Sequence, residues 1–149
     1  EFLPKDTDVV HFVNADLIAV GLSALKPEIA AVTAGRVFLA EIDRLAAAGA
    51  SFAFETTFSG RAYAMRLEKW KLAGYRIEIV YLKIDSPQIA LKRIASRVKE
   101  GGHGIPRDVV LRRFGRSWSN FVGIYRPLAN AWSVYDNSGV EPQLLEQGP

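Results

Sequence analysis

Polar side chains stand directly after several short apolar runs of this sequence, in segments 14–16, 55–61 and 136–138. Carboxylates and hydroxyls in such positions can help to hold Mg²⁺, bind the hydroxyl of a sugar or alcohol, or accept its proton as a general base. The residues that we single out for this chemistry are Asp16, Glu55, Thr57, Arg61, Asp136, Asn137 and Ser138.

A basic segment that contains a glycine-rich connection supplies the opposite charge. Arg93 and Arg97 are four residues apart, so they share one face of a predicted helix. The glycine-rich connection follows, and it brings His103 and Arg107 towards the same region. Because a phosphoryl group in transfer carries charge on its three equatorial oxygens, arginines on a movable segment can stabilise it. We therefore predict a lid at approximately residues 93–107.

Each of these features also has a purely structural interpretation. Asp16 could cap a helix, and segment 136–139 is typical of a turn. Glu55 directly follows an apolar strand, so we expect it to be partly buried beside a cation or a hydroxyl, since an unpaired buried carboxylate is costly. The arginines could lie on a solvated helix face, and His11, inside a strand, is interpreted as structural.

Apolar runs alternate with amphipathic segments, which places these residues in an α/β fold. Ser86 is the predicted cap of one helix, with Pro87 at its first position. The predicted strands are 9–13, 51–54, 77–82 and 132–135, and the predicted helices are 27–48, 61–73, one from 87, 106–116 and about 120–131. Strands separated by helices indicate one domain, residues 1–149, with a parallel sheet and helices on both faces. Ligands of such sheets bind beyond the carboxyl ends of the strands.

Composition narrows the classes of protein to consider. The 149-residue chain has no cysteine, which excludes a disulfide, a thiolate zinc site and a cysteine nucleophile. No apolar run reaches the roughly 18 residues of a membrane span, and no signal peptide is recognisable, so we expect a cytoplasmic protein with no membrane partner. The net charge is +3, yet residues 92–126 carry nine basic and two acidic side chains, which indicates an anionic partner.

In their order and spacing these motifs resemble the zeta-toxin family of P-loop kinases, in particular its short bacterial members. The resemblance covers residues 12–138 and rests on Asn14-Ala15-Asp16, Phe54-Glu55-Thr56-Thr57 with Gly60-Arg61, Arg97-Val98 with Gly101-Gly102-His103 and Ile105-Pro106, and Tyr135-Asp136-Asn137-Ser138. It implies a three-layer P-loop NTPase domain of the nucleotide-kinase type that uses ATP and Mg²⁺. It also implies a small-molecule acceptor, such as a sugar hydroxyl of UDP-N-acetylglucosamine, and allows for a protein antitoxin as a partner.

The resemblance assigns roles on the acceptor side of the reaction. Asp16 is the candidate base for the acceptor hydroxyl. Glu55 and Thr57 are similar to substrate- or magnesium-side groups of the family, and Arg61 and Arg107 are candidate substrate-binding residues. No protein ligand of a metal is assigned.

The resemblance also assigns roles on the phosphate and nucleotide side. Arg97 is similar to a lid arginine that contacts the transferred phosphate, and Arg93 shares its helix face. His103 stands about where the toxins carry a second lid arginine, and it is the remaining catalytic candidate. The segment 136–138 resembles part of the adenine-side wall.

The chain departs from the family pattern at its beginning. The family starts with a strand and a glycine-rich loop that ends in Gly-Lys-Ser/Thr and cradles the phosphates, and no such string occurs here. The first residue is Glu1. We therefore expect residues 1–149 to lack the first strand and the phosphate-binding loop of a longer protein, and to be inactive and bind ATP poorly by themselves.

Two other functions remain open from the sequence. One is a nucleic-acid-binding module that uses residues 92–126, where Phe114, Trp118 and Tyr125 are interleaved with arginines. The other is a non-catalytic P-loop-like domain that binds a protein partner. A Gly-x-x-x-x-Gly-Lys-Ser/Thr string upstream in the reading frame would favour the kinase over both.

Overall fold

A computed structural model describes residues 9–102 and 104–149 of the chain. These form two compact units, Glu1–Thr56 and Thr57–Pro149, which are treated in turn below. His103 lies outside the described residues, so its predicted place in the lid stays a prediction. The single-domain organisation likewise stays a prediction.

The first unit contains a pair of parallel strands and a helical layer. Strands β1 (His11–Val13) and β2 (Phe52–Phe54) pair in parallel, with Val13 opposite Phe54. The helices of this unit are α1 (Ala15–Leu22), a 3₁₀ turn (Pro27–Ala30) and α2 (Ala31–Ala47). The next residue after each strand is therefore at the same edge of the pair.

The core of the first unit confirms the predicted helical periodicity. Phe38, Ile42 and Leu45 of α2 are buried, as their three- and four-residue spacing predicts. The Phe38 ring meets Phe54 of β2 edge to face at 5.9 Å, so α2 packs on the strand pair. The helix ends before Gly49, whose φ of +68° lies in the left-handed region that glycine enters without strain.

The second unit has a three-stranded sheet in the order β3–β4–β5. Strands β3 (Glu78–Lys83) and β4 (Ala131–Asp136) are parallel, and β5 (Gln143–Gly148) runs antiparallel to β4. The helices are α3 (Ala64–Leu72), α4 (Pro87–Lys99), α5 (Arg107–Asn120), a π-helical turn (Phe121–Tyr125) and α6 (Arg126–Leu128). Helix α4 and the start of α5 flank the predicted lid connection.

Aromatic side chains form most of the core of the second unit. Phe121 and Tyr125 of the π-helical turn are fully buried, together with Val134 of β4. Phe121 stacks on Tyr81 of β3 at 4.5 Å, and Tyr81 in turn meets Trp118 of α5 at 5.3 Å. Aromatic residues that were candidates for stacking on nucleic acid thus contribute to the interior, as the helical spacing also allowed.

Two predictions about the elements need correction, and two elements were not predicted. The helix expected at about 120–131 is wrong, because the chain leaves α-helical geometry for a π-helical turn at Phe121 and ends its last helical turn at Leu128. Ser86 precedes α4 as predicted, but its side chain makes no capping hydrogen bond. Helix α1 and strand β5 were not predicted.

The physical reason for missing β5 is its composition. Its sequence, Gln-Leu-Leu-Glu-Gln-Gly, does not alternate apolar and polar residues, and most of these residues are exposed. The pattern that predicts a half-buried strand is therefore missing. Its pairing depends on Gly148, because a Cβ at that position would come within 2.7 Å of the Trp132 ring on β4. The parallel pairs with intervening helices do make the protein mixed α/β, whereas the three-layer P-loop arrangement stays an expectation.

No single helix among the described residues is both long and apolar enough to cross a membrane. The pair Ala15–Leu22 and Pro27–Ala47 reaches that length and composition only when taken together, and it is bent by 109° at its break.

Candidate active site

Asn14 organises the polar edge of the β1–β2 pair. Its Oδ1 accepts hydrogen bonds from the backbone N–H groups of Asp16 (2.9 Å) and Leu17 (3.1 Å), which makes it the N-cap of α1. Its Nδ2 donates to Glu55 Oε2 at 2.7 Å, across 41 residues of sequence. One amide side chain therefore links the residues that follow the two parallel strands.

Asp16 occupies the first turn of α1 and is exposed. Because Asn14 supplies the cap, the interpretation of Asp16 as the helix cap is wrong. Its carboxylate makes no hydrogen bond or ion pair with another described residue, although the N-terminal end of a helix favours negative charge there. An exposed carboxylate of this kind can accept a hydrogen bond or a proton.

Glu55 differs from the expectation in its burial and its partner. It is exposed, because strand β2 ends one residue earlier and the chain turns towards solvent. Its hydrogen-bond partner is the Asn14 amide, whereas a cation or a hydroxyl was expected. Water can still reach the carboxylate, so no desolvation penalty forces a charged partner onto it.

In the second unit, the loop 57–60 is bound to the end of α5 and the π-helical turn through its backbone carbonyls. Ser117 Oγ donates to the Thr57 carbonyl at 2.6 Å, and Asn120 Nδ2 donates to the Phe58 carbonyl at 2.8 Å. The Tyr125 hydroxyl donates to the Gly60 carbonyl at 2.6 Å. The side chains of Thr57 and Arg61, predicted to bind substrate, are exposed, and Thr57 Oγ1 lies 2.8 Å from Ser59 Oγ.

Phe58 is held in an uncommon backbone conformation at the centre of this loop. Its φ of +54° lies in the left-handed region, which costs a non-glycine residue of order 1 kcal/mol or more. Its ring packs at a tilt against Tyr125, with ring centroids 4.4 Å apart, and stacks on Tyr81 at 6.4 Å, so packing keeps it there. Strain maintained by surrounding contacts often accompanies functional loops.

The edge beyond β3 and β4 is a closed turn. The Asn137 N–H donates to the Lys83 carbonyl at 2.7 Å, and the Asp85 N–H donates to Ser138 Oγ at 2.9 Å. Asp136 Oδ1 accepts from the Ser138 N–H at 2.8 Å. The hydroxyl and N–H of Ser138, with the positive charge of Lys83, lower the pKa of the Asp136 carboxyl. The nucleotide-side candidates Asp136, Asn137 and Ser138 are thus brought together as the turn that their sequence favours.

Arg93 of α4 is bound to that turn. Its Nη2 donates to the Asn137 carbonyl and, at 3.4 Å, to the Gly139 carbonyl. In this conformation its guanidinium fastens α4 to the turn, while Arg97 one helical turn later is exposed and forms no hydrogen bond or ion pair with another described residue. The two arginines share a helix as predicted but have different surroundings.

The connection after α4 keeps close to Arg97. The Gly102 N–H donates to the Arg97 carbonyl at 2.8 Å, and a Cβ on Gly102 would come within 2.8 Å of Arg97 Cγ. Gly101 has φ of +93°. Both glycines are therefore needed for the chain to turn here, and Arg107 is exposed at the start of α5.

Sequence reasoning missed the residues that position the others. Asn14 directly precedes α1, and an asparagine in that position is a typical N-cap, which is the signal that could have revealed its role. Ser117, Asn120 and Tyr125 carry no signal that a single sequence reveals, because their partners are backbone carbonyls about 60 residues away. Within residues 9–102 and 104–149, no group of three or more His, Cys, Asp or Glu is arranged to hold a metal ion.

The chain is similar in sequence to one known protein family and to a bacterial protein. The family model described as "Zeta toxin" matches residues 28–141, which is about three quarters of the chain. An uncharacterized protein of Haemophilus influenzae is 32% identical over 108 residues, which cover 72% of this chain and 77% of that protein. No solved structure matches the chain. The candidate base Asp16 and its neighbour Asn14 lie upstream of the family match.

Proposed function

Since the chain belongs to the zeta toxin family, whose members are kinases that use ATP, we propose that it phosphorylates a hydroxyl of a small-molecule acceptor with Asp16 as the base. The observation that carries this proposal is the polar edge of the β1–β2 pair. There the exposed Asp16 carboxylate, which has no partner among the described residues, and the Asn14–Glu55 hydrogen bond follow two parallel strands in register. Ligands of parallel sheets bind at such an edge.

The reaction follows from the chemistry of these groups. The Asp16 carboxylate accepts the proton of the acceptor hydroxyl as its oxygen bonds to the γ-phosphorus, and the bond from that phosphorus to the β-phosphate oxygen breaks to release ADP. Glu55, oriented by Asn14, accepts a hydrogen bond from a second hydroxyl of the acceptor. Mg²⁺ bound together with ATP would be held mainly by phosphates and water with one or two carboxylates, and would neutralise charge on the phosphates.

Arg97 is the residue best suited to the transferred phosphoryl group. It is exposed, unpaired among the described residues and next to a glycine turn, so it is free to approach an anion. Arg93 contributes indirectly by fastening α4 to the 136–139 turn, which we place on the adenine side of the nucleotide. Arg107, and His103 outside the described residues, complete the proposed lid.

We further propose UDP-N-acetylglucosamine as the first acceptor to test, the cytoplasm as the site of action and a protein antitoxin as a regulatory partner. The acidic edge of the first unit suits a neutral sugar hydroxyl better than a phosphate, because like charges repel. The acceptor is therefore expected to place its sugar at this edge.

The test compares phosphoryl transfer with nucleic-acid binding in one set of proteins, expressed from the complete reading frame. Transfer of ³²P from [γ-³²P]ATP to UDP-N-acetylglucosamine and other nucleotide sugars is measured for wild type, Arg97→Ala and the control Arg116→Ala. We expect Arg97→Ala to lower kcat by about 10²–10⁴, judged from the effect of arginine fingers, and Arg116→Ala to change it little.

The nucleic-acid alternative predicts a different outcome. Arginines on α4 and α5 would then contribute alike, each lowering RNA affinity modestly and making its salt dependence shallower by about one unit. If no acceptor is phosphorylated and both variants weaken RNA binding equally, the kinase proposal fails.

A further inference from the structure

The loop 57–60, which contains the substrate-binding candidate Thr57 and adjoins the candidate Arg61, is held by side-chain donors. Carbonyls of Thr57, Phe58 and Gly60 each accept a hydrogen bond from α5 or the π-helical turn. Hydrogen bonds from side chains to backbone groups are common in proteins, and three of them fall on this one short loop. A run of them along one short loop fixes its path residue by residue.

The donors reach one loop because of the π-helical turn. Ser117 and Asn120 are three residues apart on α5 and share a face. Tyr125 is five residues after Asn120, a separation that would place it about 140° away on a regular α-helix. The i→i+5 pattern of Phe121–Tyr125 widens the turn and returns Tyr125 to the face of Asn120.

The protonation of this network can be assigned from its geometry. Ser117 Oγ gives its only proton to the Thr57 carbonyl, so the Tyr81 hydroxyl, 2.8 Å away, must donate to Ser117. Burial raises the pKa of Tyr81, which keeps the phenol protonated. Asn120 is only 7% exposed, and its amide donates to the Phe58 carbonyl at 2.8 Å, so this buried polar side chain has a hydrogen-bond partner.

We infer that Ser117, Asn120 and Tyr125 are positioning residues that set the affinity for the acceptor by fixing the backbone between Thr57 and Arg61. The role in acceptor affinity rests on the proposed kinase function. The clamp, by which we mean the three hydrogen bonds from Ser117, Asn120 and Tyr125 to the loop 57–60, does not. Because the backbone carbonyls of the loop are bound to Ser117, Asn120 and Tyr125, the backbone that carries the exposed side chains of Thr57 and Arg61 has a fixed path. A preorganised loop binds more tightly because its ordering cost is met on folding.

The experiment uses single-atom changes. Ser117→Ala and Tyr125→Phe each remove one hydroxyl and keep the packing, and the two are also combined. Ser117→Thr keeps a hydroxyl at the same position and serves as the rescue variant. Ser119→Ala removes a hydroxyl from an exposed neighbour on α5 and is the matched control. Asn120→Asp replaces the donor by an oxygen and is added wherever thermal unfolding shows that it folds.

Amide hydrogen exchange of residues 57–61 measures the clamp without any reaction. We expect exchange to accelerate about three- to tenfold for each hydroxyl removed, with Ser117→Thr and Ser119→Ala close to wild type. Unchanged exchange in the combined variant would overturn the clamp, whatever the enzyme does.

Steady-state kinetics with ATP and the acceptor measure how the clamp affects the KM for each substrate. We expect the combined variant to raise KM for the acceptor about tenfold or more, with KM for ATP within about twofold and kcat less affected. An equal rise of both KM values, or none while exchange accelerates, would refute the role in acceptor affinity. Absence of transfer by wild type would refute the kinase proposal instead, and the exchange result would still decide the clamp.

Discussion

The ends of the two parallel strand pairs carry similar residues but differ in what those residues bind. Beyond β1 and β2, the Asp16 carboxylate is unpartnered among the described residues, and Glu55 has one amide partner. Beyond β3 and β4, Asp136, Asn137 and Ser138 are bonded to their own strand ends and to Arg93. Composition alone does not distinguish these two edges.

This difference suits the edge beyond β1 and β2 to catalysis and the edge beyond β3 and β4 to stabilising the fold. A carboxylate with unused acceptor sites in contact with water can bind a substrate hydroxyl and take its proton. A carboxylate that already accepts from its own turn, with a lowered pKa, is a weaker base and a better structural acceptor. We therefore expect substitutions at the first edge to affect catalysis and those at the second to affect stability.

Asp16→Asn should show the largest effect. It removes the proposed base and keeps the size of the side chain, so kcat should fall by about 10²–10⁴ while the affinity for ATP stays within a few-fold. Phosphoryl transfer and calorimetric titration with ATP measure the two quantities. Asp108→Asn, which changes the first-turn acid of α5, is the matched control and should remain near wild type. Turnover within a few-fold of wild type for Asp16→Asn would leave the first edge without its base.

Asn14→Asp should show an intermediate effect and separates the two roles of Asn14. Aspartate caps helices as well as asparagine does, so the melting temperature should change little. The donor to Glu55 is lost and a like charge faces it, so Glu55 should turn away and kcat/KM for the acceptor should fall about tenfold.

Asn14→Ala provides the contrast for that prediction. It loses the cap as well, and α1 should be destabilised by about 1 kcal/mol, measured by thermal or urea unfolding. If both variants leave kcat/KM unchanged and only Asn14→Ala lowers stability, Asn14 serves as a helix cap alone.

The elements that sequence predicts well are those whose signal is local. The spacing of Phe38, Ile42 and Leu45 predicts α2, and Gly49 predicts its end, because a 3.6-residue period and a left-handed residue are properties of adjacent positions. The apolar run of β3 is likewise found to within one residue. The parallel pairing and the mixed α/β class follow from the alternation of such elements.

The parts of the site that sequence does not reveal depend on distant partners. The exposure of Glu55 depends on where β2 ends, and its partner Asn14 is 41 residues away. The π-helical turn breaks the periodicity that would relate Asn120 to Tyr125, so no standard pattern predicts a shared face. The hydrogen bonds of Arg93 are made to carbonyls more than 40 residues downstream, so a single sequence does not reveal them.

Asp136→Asn should show the smallest effect on catalysis and a measurable, pH-dependent effect on stability. The folded protein lowers the pKa of this carboxyl through the hydroxyl and N–H of Ser138 and the charge of Lys83. The ionised form therefore stabilises the fold at every pH above its ordinary value of about 3.8, and that stabilisation is lost as the pH falls through the lower value of the folded protein. At pH 7 the asparagine variant should therefore melt below wild type. The difference should narrow as the pH is lowered below 4, since wild type then loses the charge as well.

Glu141→Gln, which changes an exposed carboxyl in the same connection, is the control and should show no such convergence. A difference in melting temperature that is the same at pH 7 and pH 3 would show that the Asp136 charge does not stabilise the turn, and the contrast between the two edges would then rest on the first edge alone.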